Sequence, residues 1–306
     1  MSGLANAAIV SFLVEAIFKY ICGDFLGMEV LGQVGAAAGS MGGPAAAALV
    51  GISMGTNPLF AVASAIAVRG FGILPGFICG YILHFLVKPL EKLPEGIDSI
   101  VGALVSAVFS YTLVVVISPV VDTVLGLVGD SIIAATSQSP IIMGLLLGGL
   151  FKVVCTAPIS SMALTAMLGL TGLPMGIAAV ACFGGTFTNG VMFYKLGLGD
   201  RTRSIAVMLE PLTQADIISR NPIPVYTGSF LGGMASGSIA VCFNIINNAP
   251  GTAAPIPGLL APFAFNPPLK VALAMGLAAV AGIAAGYVGS WFFRKISFKM
   301  DVKSDK

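Results

Sequence analysis

The chain has 306 residues, of which 57% are apolar and only 9% charged, with a net charge of +2 and a mean hydropathy of +0.99. Soluble domains carry about 25% charged residues, so this chain cannot cover a water-facing surface and its outer solvent is lipid. The small net charge gives no footing for a nucleic-acid partner.

Apolar stretches recur nearly end to end: 4–21, 34–55, 57–68, 71–88, 97–120, 121–135, 140–155, 157–170, 173–184, 204–218, 222–247, 253–265 and 268–293. A membrane-spanning helix needs about 20 apolar residues. The pattern predicts an all-α polytopic membrane protein with about eight to ten spans. The short pieces 57–68, 173–184 and 253–265, flanked by Gly or Pro, read as re-entrant half-helices. No basic segment opens Met1-Ser-Gly-Leu-Ala-Asn6, so no cleavable signal peptide is expected.

The turns at Gly39–Pro44 and Gly55–Pro58 read first as breaks for helix packing. Ser40–Pro44 and Gly55–Pro58 are echoed by Cys155–Pro158 and Gly172–Pro174 at offsets of 114 and 116 residues, compatible with two related halves. Lys88, Glu91, Lys92, Glu95 and Asp98 form a polar elbow with Pro89 and Pro94, and Tyr81–Leu93 in front of it reads as an interfacial helix carrying His84. Lys195, Asp200, Arg201 and Arg203 form a second polar loop. Arg294, Lys295, Lys299, Lys303 and Lys306 make a basic tail, cytoplasmic by the positive-inside rule, with Trp291 and Phe292 as interface anchors.

Four polar patches interrupt the apolar runs. In Met208-Leu-Glu-Pro-Leu-Thr-Gln-Ala-Asp216, Pro211 ends regular helix beside Glu210. A carboxylate at membrane depth normally faces a polar cavity or a partner. Glu210, Thr213 and Gln214 therefore read as a binding loop, or Glu210 as a carboxylate paired with Arg201, Arg203 or Arg220. Asp216 reads equally as a ligand or as a partner of Arg220 four residues on. Thr186, Thr188 and Asn189 within Gly184–Gly190 offer hydrogen bonds to a solute, or form a Gly-rich turn. Lys152, Cys155 and Thr156 are an intramembrane candidate, or Lys152 snorkels to an interface. Asn244, Asn247 and Asn248, followed by Pro250, Pro255 and Pro257, line a cavity opposite Glu210 or form an external loop.

Several chemistries are excluded. There is no Walker-type phosphate loop. The single histidine, His84, builds neither a histidine metal site nor a Ser-His-Asp triad. The five cysteines include no Cys-x-x-Cys pair and read as small buried hydrophobes. No metal or cofactor is expected.

Across residues 30–293 the chain resembles the membrane (EIIC) component of bacterial phosphoenolpyruvate-dependent sugar phosphotransferase systems. It is most similar to the type-2 EIIC-like proteins, some of which are described as toxin or perfringolysin regulators. The likeness rests on Gly76–Gly80 running to Leu93-Pro94, on Ser139–Gly144, on Ala157-Pro-Ile-Ser160, on Glu210-Pro211, and on Asn221–Pro224 running to Pro250–Pro257. The resemblance implies that Glu210 binds sugar hydroxyls and that the 250–257 loop closes the site. It also implies a dimerising half over 1–135, a transport half over 136–293 that moves in an elevator-like way, and a cytoplasmic tail over 294–306. The family's site histidine is replaced here by Val154-Cys-Thr-Ala157. No cysteine or histidine stands where a phosphorylated carrier residue is needed, so any phosphotransfer uses separate EIIA and EIIB proteins. The resulting expectation is a homodimeric inner-membrane protein that transports a sugar-like solute. A sensor on the same fold, or a carrier of a small organic anion using Lys152 or Arg220, are the alternatives.

Overall fold

A computed structural model of the chain describes residues 2–90, 93–94, 96–157 and 161–294. The basic tail beyond Arg294, Glu91, Lys92 and Glu95 of the elbow, and Pro158–Ser160 lie outside the described residues. All regular structure among the described residues is helical. Among the described residues four helices are long and apolar enough to cross a membrane, or five if one bent pair counts as a span, and the shorter apolar helices run to 10–17 residues. The chain divides into two compact units, Met1–Asp130 with Met162–Gly169, and Ser131–Ser161 with Leu170–Lys306.

The first unit opens with α1 (Ser2–Ala8), which continues through π-helical segments Ile9–Leu13 and Ala16–Phe25. Helices α2 (Glu29–Gly39) and α3 (Gly42–Ser53) form the bent pair, with a 55° angle at the Ser40-Met41 turn. The expected break at Gly39–Pro44 is thus a kink. Pro44 cannot donate to the preceding turn, and Gly43 brings α3 against the carbonyl of Phe71. Helix α4 (Pro58–Ala67) is a half-length piece capped by Asn57, whose side chain accepts from the Leu59 amide at 2.9 Å. Helix α5 (Ile73–Val87) packs on α3 so closely that Cβ atoms at Gly76 and Gly80 would run into the carbonyls of Gly43 and Ala47. His84 lies on α5, held by Thr56 at 3.1 Å. That helix ends at Val87, before the elbow, so no helix runs from Tyr81 to Leu93.

The stretches 97–120 and 121–135 are one helix, α6 (Ile97–Gln138), with Pro119 inside it. Its 42 residues extend about 63 Å, twice the hydrocarbon thickness of about 30 Å. A Ser64–Ser110 hydrogen bond of 2.7 Å ties it to α4. Ile100, Leu104, Val108, Val116, Val120 and Leu127 on α6 are each at least 63% exposed.

The second unit is built on α7 (Pro140–Thr156), α9 (Gly172–Leu196), α12 (Pro222–Cys242) and α14 (Pro268–Arg294); the short α8 (Ser161–Met167) falls mostly in the first unit. Glycine pairs lock α7 to α12. A Cβ at Gly148 would strike the carbonyl of Gly233, one at Gly233 the carbonyl of Gly148, and one at Gly237 the carbonyl of Gly144. The pairing of 144 with 237 and 148 with 233 makes the two helices antiparallel. Gly184 meets Ser236 and Ala278, and Gly282 meets the Gly184 carbonyl, so α14 runs parallel to α9 and α12 antiparallel to it. Lipid supplies no hydrophobic drive between helices, and close backbone approach through small residues replaces it.

The short piece expected over 173–184 does not end there. Helix α9 continues through Gly184–Gly190 to Leu196, because these glycines face neighbouring side chains rather than a turn: Gly185 receives Lys152 and Gly190 receives Met208. Gly197, at φ 67°, then terminates α9 in the left-handed conformation that glycine adopts without penalty.

Gly233→Val should lower the thermal unfolding midpoint in detergent, through a loss of about 1–3 kcal/mol from overpacking. Gly276→Ala, where nothing lies within 4 Å of the added carbon, should stay within about 0.5 kcal/mol of the parent. Equal midpoints for the two variants would contradict the glycine contact.

Candidate functional site

After Gly197 the chain reverses. Asp200 caps α10 (Arg201–Leu209), its side chain accepting from the Arg203 amide at 2.8 Å. Helix α10 runs back along α9, with Met208 against Gly190 and the Met208 carbonyl accepting from Thr186 Oγ1 at 2.6 Å. Thr186 lies ten residues before the end of α9, about 15 Å along it, or half the hydrocarbon thickness. The helix stops at Leu209 and Glu210 takes an extended conformation (φ −149°, ψ 101°). Pro211–Gln214 form one 3-10 turn, followed by α11 (Ala215–Arg220). The break that Pro211 predicts is therefore present, and it lies level with the middle of α9.

A second short element enters from the other end of α9. The Asn247 amide donates to the Gly172 carbonyl at 3.0 Å, and the Gly172 amide donates to Asn248 Oδ1 at 3.1 Å. From there the chain climbs to α13 (Pro255–Leu260), where Gly258 meets the carbonyl of Ala179. Helix α13 touches both α9 and α10. Two half-length elements thus approach mid-depth from opposite ends of one long helix.

Beneath the break lies a polar cluster. Asn189 Nδ2 donates to Thr156 Oγ1 at 3.0 Å, Ser229 Oγ donates to Asn189 Oδ1 at 2.7 Å, and Ser229 and Thr156 are 3.1 Å apart. All three residues are buried, so this triangle joins α7, α9 and α12. Lys152 is fully buried one turn before Thr156; its stem lies along Gly185 and Gly233 and its Nζ is 3.5 Å from the Cys182 carbonyl. It does not snorkel. Cys155 on α7 and Cys182 on α9, both buried, contact each other through their thiols.

The sequence-derived residues fall into four sets. Thr186, Thr188, Asn189 and Thr156 hold helices together; Thr188 donates to the Gly282 carbonyl of α14 at 2.8 Å. Asn247 and Asn248 shape their own loop: Asn247 Nδ2 donates to Thr252 Oγ1 at 2.8 Å, and its Oδ1 accepts from the Ala249 amide at 3.0 Å. Glu210 directly precedes the 3-10 turn that carries Thr213 and Gln214, and this turn touches α7. Thr213 Oγ1 donates to the Glu210 carbonyl at 2.8 Å, and Gln214 Nε2 donates to Thr213 Oγ1 at 3.1 Å. Gln214 is 8% exposed, and its Oε1 is buried with no hydrogen-bond partner among the described residues. Asp216 is turned outward and pairs with Arg203 at 3.2 Å instead of with Arg220; both side chains are about half exposed, so the pair contributes little.

Ser229 and the Cys155–Cys182 contact were not foreseen. A signal for Ser229 existed: with Gly232, Gly233, Ser236 and Gly237 it forms a small-residue stripe at helical spacing. Among the described residues no group of three or more His, Cys, Asp or Glu side chains is arranged to hold a metal ion.

No curated protein matches the chain. A family model described as "Phosphotransferase system, EIIC" matches residues 1–302, so the chain belongs to that family and is a multi-pass membrane transport component of a phosphotransferase system.

Proposed function

We propose that the chain binds and translocates a sugar or sugar-like polyol across the bacterial inner membrane, with Glu210 as its principal acceptor. The observation that supports this most is the helix break at Glu210-Pro211, level with the middle of α9, with α7 against its 3-10 turn and α9 and α13 against the α10 that leads into it. A broken helix exposes backbone carbonyls and amides to a solute. Each solute hydroxyl can donate to a fixed acceptor, and a carboxylate oxygen accepts more than one. Thr213 and the unpartnered amide oxygen of Gln214 add neutral acceptors on the same turn.

The triangle of Thr156, Asn189 and Ser229 serves this site from below. Its groups bond to one another, so it fixes the spacing of α7, α9 and α12 under the break and does not itself grip the solute. Separate EIIA and EIIB proteins phosphorylate the solute on the cytoplasmic face, the face that also carries the 195–203 loop and the C-terminus. Failing such partners, a proton on Glu210 couples uptake to its gradient. The protein functions as a homodimer through the first half of the chain, where the α6 stripe is exposed.

A panel of uncharged sugars and polyols, screened by thermal shift on the purified protein, should contain a ligand that raises the unfolding midpoint. Glu210→Gln should weaken that ligand by at least about tenfold, the loss of a hydrogen bond to a charged group, while leaving the ligand-free midpoint in place. Undiminished binding by this variant would sink the assignment. Uptake of the same ligand into proteoliposomes separates carrier from sensor, since binding without flux indicates a sensor.

Asn189→Ala should behave in the opposite way. It strands buried hydroxyls at Ser229 and Thr156, lowering stability by about 1–3 kcal/mol, and the midpoint should fall with or without solute. A variant as stable as the parent but unable to bind would make Asn189 a direct ligand.

A further inference from the structure

We propose that the second unit carries a built site for an anionic phospholipid, in the groove where α9, α10 and α14 meet at the loop end of α9. The groove has a volume of about 360 Å³ and is lined by Phe187, Val191, Met208 and Ile283, with Tyr194, Lys195 and Tyr287 among its walls. That volume is at the small end of the range for ligand cavities. Two of its walls, α9 and α14, qualify as membrane spans, and its floor is apolar.

Its polar end is a single cation. Lys195 Nζ lies 4.9 Å from the Tyr287 ring centroid and 6.0 Å from that of Tyr194. These rings draw the ammonium to the mouth of the groove by cation–π attraction. Among the described residues no carboxylate lies within 4 Å of Lys195. The location is the membrane–water boundary: Lys195 is in the last turn of α9, and Trp291, 64% exposed, follows Tyr287 by one turn of α14. An apolar trough ending at an interfacial cation without a carboxylate complements one molecule: a lipid whose acyl chain fills the trough and whose phosphate meets the ammonium. Basic pockets between spans at the cytoplasmic boundary recognise anionic headgroups on the same principle. Arg201, at the start of α10 just beyond, adds positive potential, while Arg203 there is paired with Asp216.

The floor residue Met208 stands two positions before Glu210 and packs on Gly190 beside Asn189. An acyl chain in the groove therefore braces the descending α10. The lipid site stands independently of which solute the break binds.

The test compares phosphatidylglycerol with phosphatidylcholine, each added at the same mole fraction to the purified full-length protein in detergent, with the unfolding midpoint as readout. For the parent, phosphatidylglycerol should stabilise at about fivefold lower concentration than phosphatidylcholine. Lys195→Met should remove that difference, Lys195→Arg should retain it, and Ile283→Trp, which fills the groove, should remove stabilisation by both lipids. Lys270→Met, at a lysine bonded to the Asn244 carbonyl in a different loop, should leave the difference unchanged. No lipid preference in the parent, an equal loss in Lys270→Met, or survival of the preference in Lys195→Met would overturn the assignment. Stabilisation by sn-glycerol 3-phosphate alone would also overturn it, since the site would then bind a phosphate without the chain.

Discussion

The rest of the structure depends on one constraint: backbone amides and carbonyls at membrane depth find no water, so every one must be satisfied inside the protein. A helix satisfies itself. A broken helix does not, and its freed groups must find partners within the protein. At the Glu210-Pro211 break the freed Glu210 carbonyl accepts from the Thr213 amide and from Thr213 Oγ1, and α7 lies against the 3-10 turn, while Leu209 and Thr213 stay exposed. Helix α9 is the most buried of the four long spans, with 83% of its apolar window inside the protein, against 22–33% for the others. A helix so enclosed can hold hydroxyls and amides along its length, since none of them faces lipid.

Small residues and polar residues divide the work along that helix. Gly184, Gly185 and Gly190 admit Ser236, Lys152 and Met208 to the helix surface. Thr186, Thr188 and Asn189 between them then reach α10, α14 and, through the triangle, α7 and α12. The alternation explains why a segment with the composition of a turn is a continuous helix. In water, Gly-Gly-Thr-Phe-Thr-Asn-Gly would expose its backbone and unwind. In a bundle interior the same residues maximise contact, and unwinding would leave amides without partners.

Much of this was legible in the sequence, and the failures share a cause. The all-α membrane class follows from composition, and the break at Pro211 follows from proline's missing amide. The half-length pieces at Pro58–Ala67 and Pro255–Leu260 follow from their flanking Gly and Pro. The reading of 173–184 as a short piece applied a rule about glycine that holds where water competes, and α9 is not in water. The stretches 97–120 and 121–135 join into one helix across Pro119, since a proline within a membrane helix is tolerated when neighbouring groups adjust around it. The partner of Asp216 could not be read from helical spacing, because Arg203 reaches it from another helix. The Cys155–Cys182 contact and the place of Ser229 depend on which helices are neighbours, and periodicity in a uniformly apolar chain carries almost no information about that.

The contrast in stability between the bundle and the break bears on how such a site works. Helices α7, α9, α12 and α14 interlock through reciprocal glycine contacts and buried hydrogen bonds, which resist local opening. The element carrying Glu210 is attached differently: a nine-residue helix, one 3-10 turn and a six-residue helix, held by Thr186, by Met208 and by a half-exposed ion pair. Segments with few buried contacts open at lower free energy than the core around them. The break therefore opens at lower free energy than the bundle against which it lies, where Lys152 is buried along Gly185 and Gly233.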